Sequence, residues 1–117
     1  MLNFDKYNID SLSKEQKENI LKKLRKRVDL LDRVLVYLLN RRTKTTVLIG
    51  RIKLSLGLPT YTPERERDIM IRINKHNKGP LSEESLERIY ERVLDQSRAT
   101  QKSESPKLFQ KQDASGK

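Results

Sequence analysis

The chain has no cysteine and a single histidine, His76. Disulfides, thiolate metal sites and cysteine nucleophiles are therefore excluded, and one imidazole cannot build a histidine-based zinc site alone. Aromatic residues make up 5% of the sequence, too few for the stacking platforms that read single-stranded nucleic acid. No stretch approaches the ~20 apolar residues of a membrane span, and the opening MLNFDKYNID lacks the basic-then-apolar order of a secretory signal. These absences predict a soluble protein of the reducing cytoplasm. Helix-turn-helix spacing, zinc-finger and RNA-recognition signatures are missing too.

What the sequence does have is charge. Its 26 basic and 16 acidic residues leave a net charge of +10, which on its own could advertise a nucleic-acid partner. The two signs are mixed along the chain, however, as on solvated helix faces, and nucleic acid is disfavoured as a partner. A length of 117 residues makes one domain. Its 34% hydrophobic content is low for a core built by one chain alone.

The few prolines and glycines divide the chain into an all-α arrangement of three helices. Ser13 with Gln16 three residues later forms a capping box, and from there to Leu56 only Gly50 interrupts good helical residues. A seam of Leu24, Val28, Leu31, Leu35, Leu38, Arg42, Thr45, Ile49, Ile52 and Leu56 advances in alternating steps of four and three, the heptad spacing of a buried stripe. An unbroken helix of that length would extend about 65 Å, against a radius of gyration of about 13 Å for a compact domain of this size. One chain cannot cover both ends of such a helix, so a second copy is expected; the alternative is a break near Gly50. Gly57-Leu58-Pro59 stops the first helix. Thr62, with Pro63 behind it, is expected to cap a second, whose short face is Glu66, Ile69, Met70 and Ile73. Ser82 caps a third, with Glu83 and Glu84 suiting its N-terminal dipole. Its stripe of Leu86, Ile89, Tyr90, Val93 and Leu94 continues in phase to Ser97 and Gln101. The organisation read from this is a flexible N-terminus at 1–12, a helical domain at 13–101, and a disordered tail at 102–117, where KSESPKLFQKQDASGK is poor in apolar residues.

The chemistry lies where polar residues interrupt these stripes. A charge pointing into a helical bundle is costly unless an anion meets it. Arg42 falls in the seam itself, and Lys53, eleven residues on, lies within about 20° of it in helical phase. Arg25 points about 100° away from Arg42, and in an antiparallel pair of long helices it would serve the neighbouring copy's site. The second helix offers Arg65 and Glu66 at its start, and the third offers Ser97 and Gln101, one turn apart. Each has an ordinary structural explanation: a snorkelling arginine or lysine, a Glu66 paired with Arg65 or Arg67, a Ser97 bonded to its own helix, a frayed Gln101. Three helices breaking their apolar faces with donors is the pattern that suits a small polyanion, most naturally a dicarboxylate. No nucleophile–base pair, metal cluster or glycine-rich phosphate loop is present, so catalysis would rest on positioning and electrostatics.

The segment LRKRVDLLDRVLVYLLNRRTKTTVLIGRIK, then PERE at Pro63 to Glu66, then GPLSEESLERIYERVLDQSRATQ resembles the all-helical chorismate mutases over about residues 20 to 101. That resemblance implies an intertwined homodimer of three-helix protomers and the rearrangement of chorismate to prephenate without a cofactor or a metal. It implies that Arg25 reaches a substrate carboxylate across the dimer and that Arg42 binds a carboxylate within its own protomer. Lys53 and Gln101 would donate to the ether oxygen of the breaking bond. Glu66 would accept from the ring hydroxyl, Ser97 would support a carboxylate, and Arg65 would order the substrate end. Thr62 departs from the pattern, standing where members often carry an acid near the hydroxyl. Isochorismate-pyruvate lyase, a related helical enzyme with a similar cationic pocket, is the nearest alternative. A non-catalytic helical dimer, regulatory or nucleic-acid-binding, is the other.

Overall fold

The computed structural model describes residues 8–115, with side chains described as far as Lys107. After a 3-10 turn at Ile9–Ser11 the chain forms three helices: α1 Lys14–Ser55, α2 Pro63–His76 and α3 Glu83–Ser115. No strand occurs among the described residues. Residues 1–7 of the expected flexible N-terminus, and residues 116–117 of the expected tail, lie outside the described residues.

Local chemistry sets most of the helix ends. Ser13 and Gln16 form the reciprocal capping box: the Gln16 amide donates to Ser13 Oγ at 3.2 Å and the Ser13 amide to Gln16 Oε1 at 2.9 Å. From there α1 runs unbroken for 42 residues, through Gly50. It closes in a Schellman motif, with Gly57 at φ 69°. The Leu58 amide reaches back to the Lys53 carbonyl at 2.8 Å and the Gly57 amide to Leu54 at 3.1 Å. The Ser82 hydroxyl accepts from the Ser85 amide at 3.1 Å and caps α3.

The chain divides into two units, Met1–Asn40 and Arg41–Lys117. In the first, α1 leaves Leu21, Val28, Leu31, Val34, Leu35 and Leu38 exposed. In the second, α2 packs on α3, and the Asn74 side chain donates to Glu87 at 2.8 Å between them. The half-buried face of α2 is the expected one, Glu66, Ile69, Met70 and Ile73, and Leu94 of the α3 stripe is buried.

Two expectations shift. The seam residues Ile49, Ile52 and Leu56 are exposed, and α1 instead covers its Thr46, Val47 and Gly50 face. The reason is close approach: a Cβ on Gly50 would meet the Ser105 hydroxyl and stand 3.2 Å from the Ser105 Cβ. Only glycine lets α3 come that near. The second shift is the boundary drawn after Gln101, which falls inside α3, since that helix continues to Ser115. Ser105 is completely buried, its hydroxyl donating to the Val47 carbonyl at 2.8 Å. A small polar side chain satisfied by a carbonyl anchors a helix without raising its hydropathy.

Candidate functional site

Within the Arg41–Lys117 unit lies a cavity of about 370 Å³. One face of α1 contributes Arg42, Thr45, Thr46, Ile49 and Lys53, and the loop after it Thr60 and Thr62. Arg65, Glu66 and Ile69 come from the first turns of α2, and Leu94, Ser97, Arg98 and Gln101 from α3. Four cationic side chains thus share the wall with one carboxylate. A cavity so charged favours an anionic occupant.

Seven of the residues singled out by the sequence meet here: Arg42, Lys53, Thr62, Arg65, Glu66, Ser97 and Gln101. Arg25 is exposed on α1 in the Met1–Asn40 unit and is not among the lining residues.

Lys53 is half-buried, and its Nζ donates to Thr62 Oγ1 at 2.9 Å and to the Thr60 carbonyl at 3.3 Å. Both acceptors are uncharged, so no carboxylate is paired with the ammonium here, and one of its three protons remains to be used. These bonds revise the role expected of Thr62. It does occupy the N-cap of α2, with extended backbone at φ −130° and ψ 101°, but its hydroxyl makes no capping bond. Its carbonyl receives the Arg65 and Glu66 amides at 3.1 and 3.3 Å. The hydroxyl is taken by a charged donor, a stronger partner than a backbone amide.

Arg42 is half-buried as well, donating from Nη1 to Ser97 Oγ at 2.5 Å with its guanidinium 6.0 Å from the Tyr90 ring centre. Ser97 therefore bonds across to α1 rather than back to its own helix. Gln101 Nε2 donates to the Thr46 carbonyl at 2.7 Å, which fixes the side chain at the cavity wall and leaves the second amide proton available. One turn on, Ser105 repeats that contact on the adjacent Val47 carbonyl. The two bonds together set the height of α3 against α1.

Glu66 pairs neither with Arg65 nor with Arg67. Its Oε1 accepts from Arg98 Nη1, while Arg98 Nη2 donates to Asp95. The Arg98 guanidinium also lies 5.4 Å from the Tyr61 ring centre. Bonding to Glu66 raises the guanidinium pKa above its ordinary value. Sequence reading missed Arg98, although its phase was available: four residues beyond Leu94, it shares that residue's side of α3.

Comparison with known proteins follows the same residues. A family model described as chorismate mutase type II matches residues 24–102. A bifunctional chorismate mutase/prephenate dehydratase of Aquifex aeolicus (strain VF5) is 41% identical over 78 residues, 63% of this chain and 22% of that protein. The chain spans about a fifth of the length of the bifunctional relatives it matches. A chorismate mutase of Methanocaldococcus jannaschii is 31% identical over 83 residues, covering 70% of this chain and 84% of the relative. A solved chorismate mutase from Thermus thermophilus (form II) aligns with a TM-score of 0.70 at 30% identity, over 71% of this chain and 94% of that one.

Proposed function

The chain belongs to the chorismate mutase type II family, and we propose that it converts chorismate to prephenate in the cavity between α1, α2 and α3 of its Arg41–Lys117 unit. The observation that carries this reading is the convergence of Arg42, Lys53, Arg65, Ser97 and Gln101 on one cavity wall with Glu66. Chorismate is a flexible dianion. Its rearrangement breaks an ether C–O bond and forms a C–C bond within one molecule, with no proton transfer and no covalent intermediate. What a protein can contribute is a compact conformer and charge where charge develops.

Arg42 would grip one carboxylate, steadied by its bond to Ser97, and Arg65 would order the other end of the substrate. The unused proton of Lys53 and the second amide proton of Gln101 suit the ether oxygen, where negative charge grows as the C–O bond breaks. Donors aimed at that oxygen hold the transition state more strongly than the substrate and so raise kcat. Glu66 would accept the ring hydroxyl, with Thr62 beside it. Arg25 would come from a second copy of the chain, placed by an intertwined homodimer that covers the apolar residues left open on α1, in a cytoplasmic enzyme.

A direct assay tests the reading: purified protein is given chorismate and prephenate is followed, beside a parallel assay for pyruvate from isochorismate. Prephenate formation is expected, and pyruvate alone would assign the chain to the lyase. A mixing experiment tests the second-copy role. Arg25→Ala and Arg42→Ala chains, each inactive alone, are expected to regain activity when mixed, because one heterodimer site carries both arginines. No recovery despite demonstrated subunit exchange would remove Arg25 from the site.

A further inference from the structure

Arg98 has no part in the chemistry just described, yet it is held on three sides. Its two terminal nitrogens go to different acids, Glu66 at the start of α2 and Asp95 one turn back on α3. Its guanidinium meets Tyr61 of the loop that also supplies Thr60 and Thr62. One guanidinium thereby joins α3, the first turn of α2 and the α1–α2 loop. Beyond it lies a second cavity of about 240 Å³, and Glu66, Leu94 and Arg98 line both. The Arg98–Glu66 pair is part of the partition between them.

The electrostatics give that partition a task. Glu66 is the one carboxylate lining a cavity that also holds Arg42, Lys53 and Arg65. An acid free to move in such company pairs with the nearest cation, and an incoming dianion would have to break that pair before it could bind. Glu66 does not do so here, because Arg98 binds its Oε1 from the partition side. Glu66 is 22% exposed and Arg98 36%, so the contact is sheltered enough to matter and wet enough to exchange. The arginine's forked, planar geometry is what lets it hold Glu66 and Asp95 together while resting on an aromatic face, and lysine lacks that fork.

We infer that Arg98 is a positioning residue for the dicarboxylate site: it holds Glu66 against the partition, so that Arg42, Lys53 and Arg65 stay unpaired until the substrate arrives. This rests on the proposed mutase activity and adds to it a determinant of substrate affinity that acts through Glu66.

The test is a cycle of Arg98→Met and Glu66→Gln in the full chain, read as separate kcat and KM values for chorismate, with thermal melting and circular dichroism to establish folding. Arg98→Met is expected to raise KM about tenfold, within the range of coupling between contacting residues, and to change kcat far less. In the Glu66→Gln background the same substitution should barely move KM, because a neutral amide cannot pair with the three cations. Arg98→Lys should recover part of the lost affinity. An unchanged KM in Arg98→Met overturns the inference, and so does a KM rise that persists undiminished beside Glu66→Gln, which would mark a merely structural contact. Arg98→Gln, which keeps length and polarity but drops the charge, answers the same question should the methionine variant not fold. Absence of chorismate turnover by the unmodified chain overturns the parent reading, and this one with it.

Discussion

Two of the three ammonium protons of Lys53 go to Thr62 and to the Thr60 carbonyl. In the proposed reaction the third would donate to the developing oxyanion, so Lys53→Ala should lower kcat for chorismate by ~10²–10³, as loss of one such donor commonly does. A steady-state assay checks it, and a loss confined to KM would contradict the role. Gly50 carries a different kind of constraint, because an added methyl has no room beside Ser105. Gly50→Ala is expected to destabilise the fold by about 1–3 kcal/mol through overpacking, and Ser105→Ala by about 1 kcal/mol through its lost hydrogen bond to Val47. The double variant should lose less than the sum, since removing the hydroxyl eases the clash; chemical denaturation of the three proteins measures this. At this scale the sequence was informative wherever a polar residue interrupted an apolar stripe, as at Arg42, Ser97 and Gln101. It was silent on Arg98, whose chemistry depends on Glu66 and Tyr61, distant in the chain and near only after folding. The Thr62 hydroxyl was likewise ambiguous: cap and lysine acceptor need the same atom, and helical phase cannot choose between them.

Helix ends were the most legible elements, because capping is local chemistry. Ser13–Gln16, Gly57 and Ser82 each do in the structure what their positions predict. Gly57 sits at positive φ, and Gly57→Ala should cost about 1 kcal/mol in denaturation midpoints without altering the cavity. The far end of α3 was illegible for an equally physical reason. Its anchor, Ser105, makes its contact through one hydroxyl, and Pro106 stands inside the helix, where its missing amide removes a rung of the ladder. A chain ending at Lys102 should therefore melt at a lower temperature and lose chorismate turnover, while one ending at Lys107 should retain most of both. Near that end Lys107 donates to Glu104 at 2.8 Å, and this hydrogen bond holds the Glu104 carboxyl below its ordinary pKa. Stability from a depressed carboxyl is present above the unfolded-state pKa and is lost as pH falls through the folded-state value. Glu104→Gln should remove that small acid-side dependence, which pH-dependent melting would reveal as a flatter curve below the carboxylate range.

At the scale of the whole molecule the open question is what covers the apolar residues that α1 leaves exposed. Helix content and order followed from periodicity and from a few glycines and prolines, but the covered face of α1 did not. Heptad spacing identifies a stripe without saying whether the same chain or another one buries it, and within one chain Val28, Leu31, Leu35 and Leu38 remain open. A contiguous apolar surface of that kind is rarely left bare in a monomer. If a second copy covers it and lends Arg25, then functional sites exist only in the associated form, and mass action enters the kinetics. Specific activity should fall as the protein is diluted through its dissociation constant. Chorismate, binding the paired chains and not the separated ones, should shift that transition to lower protein concentration. Rates measured over a wide dilution series, with and without preincubation in substrate, would show the exposed leucines of α1 acting as a concentration sensor for the proposed activity.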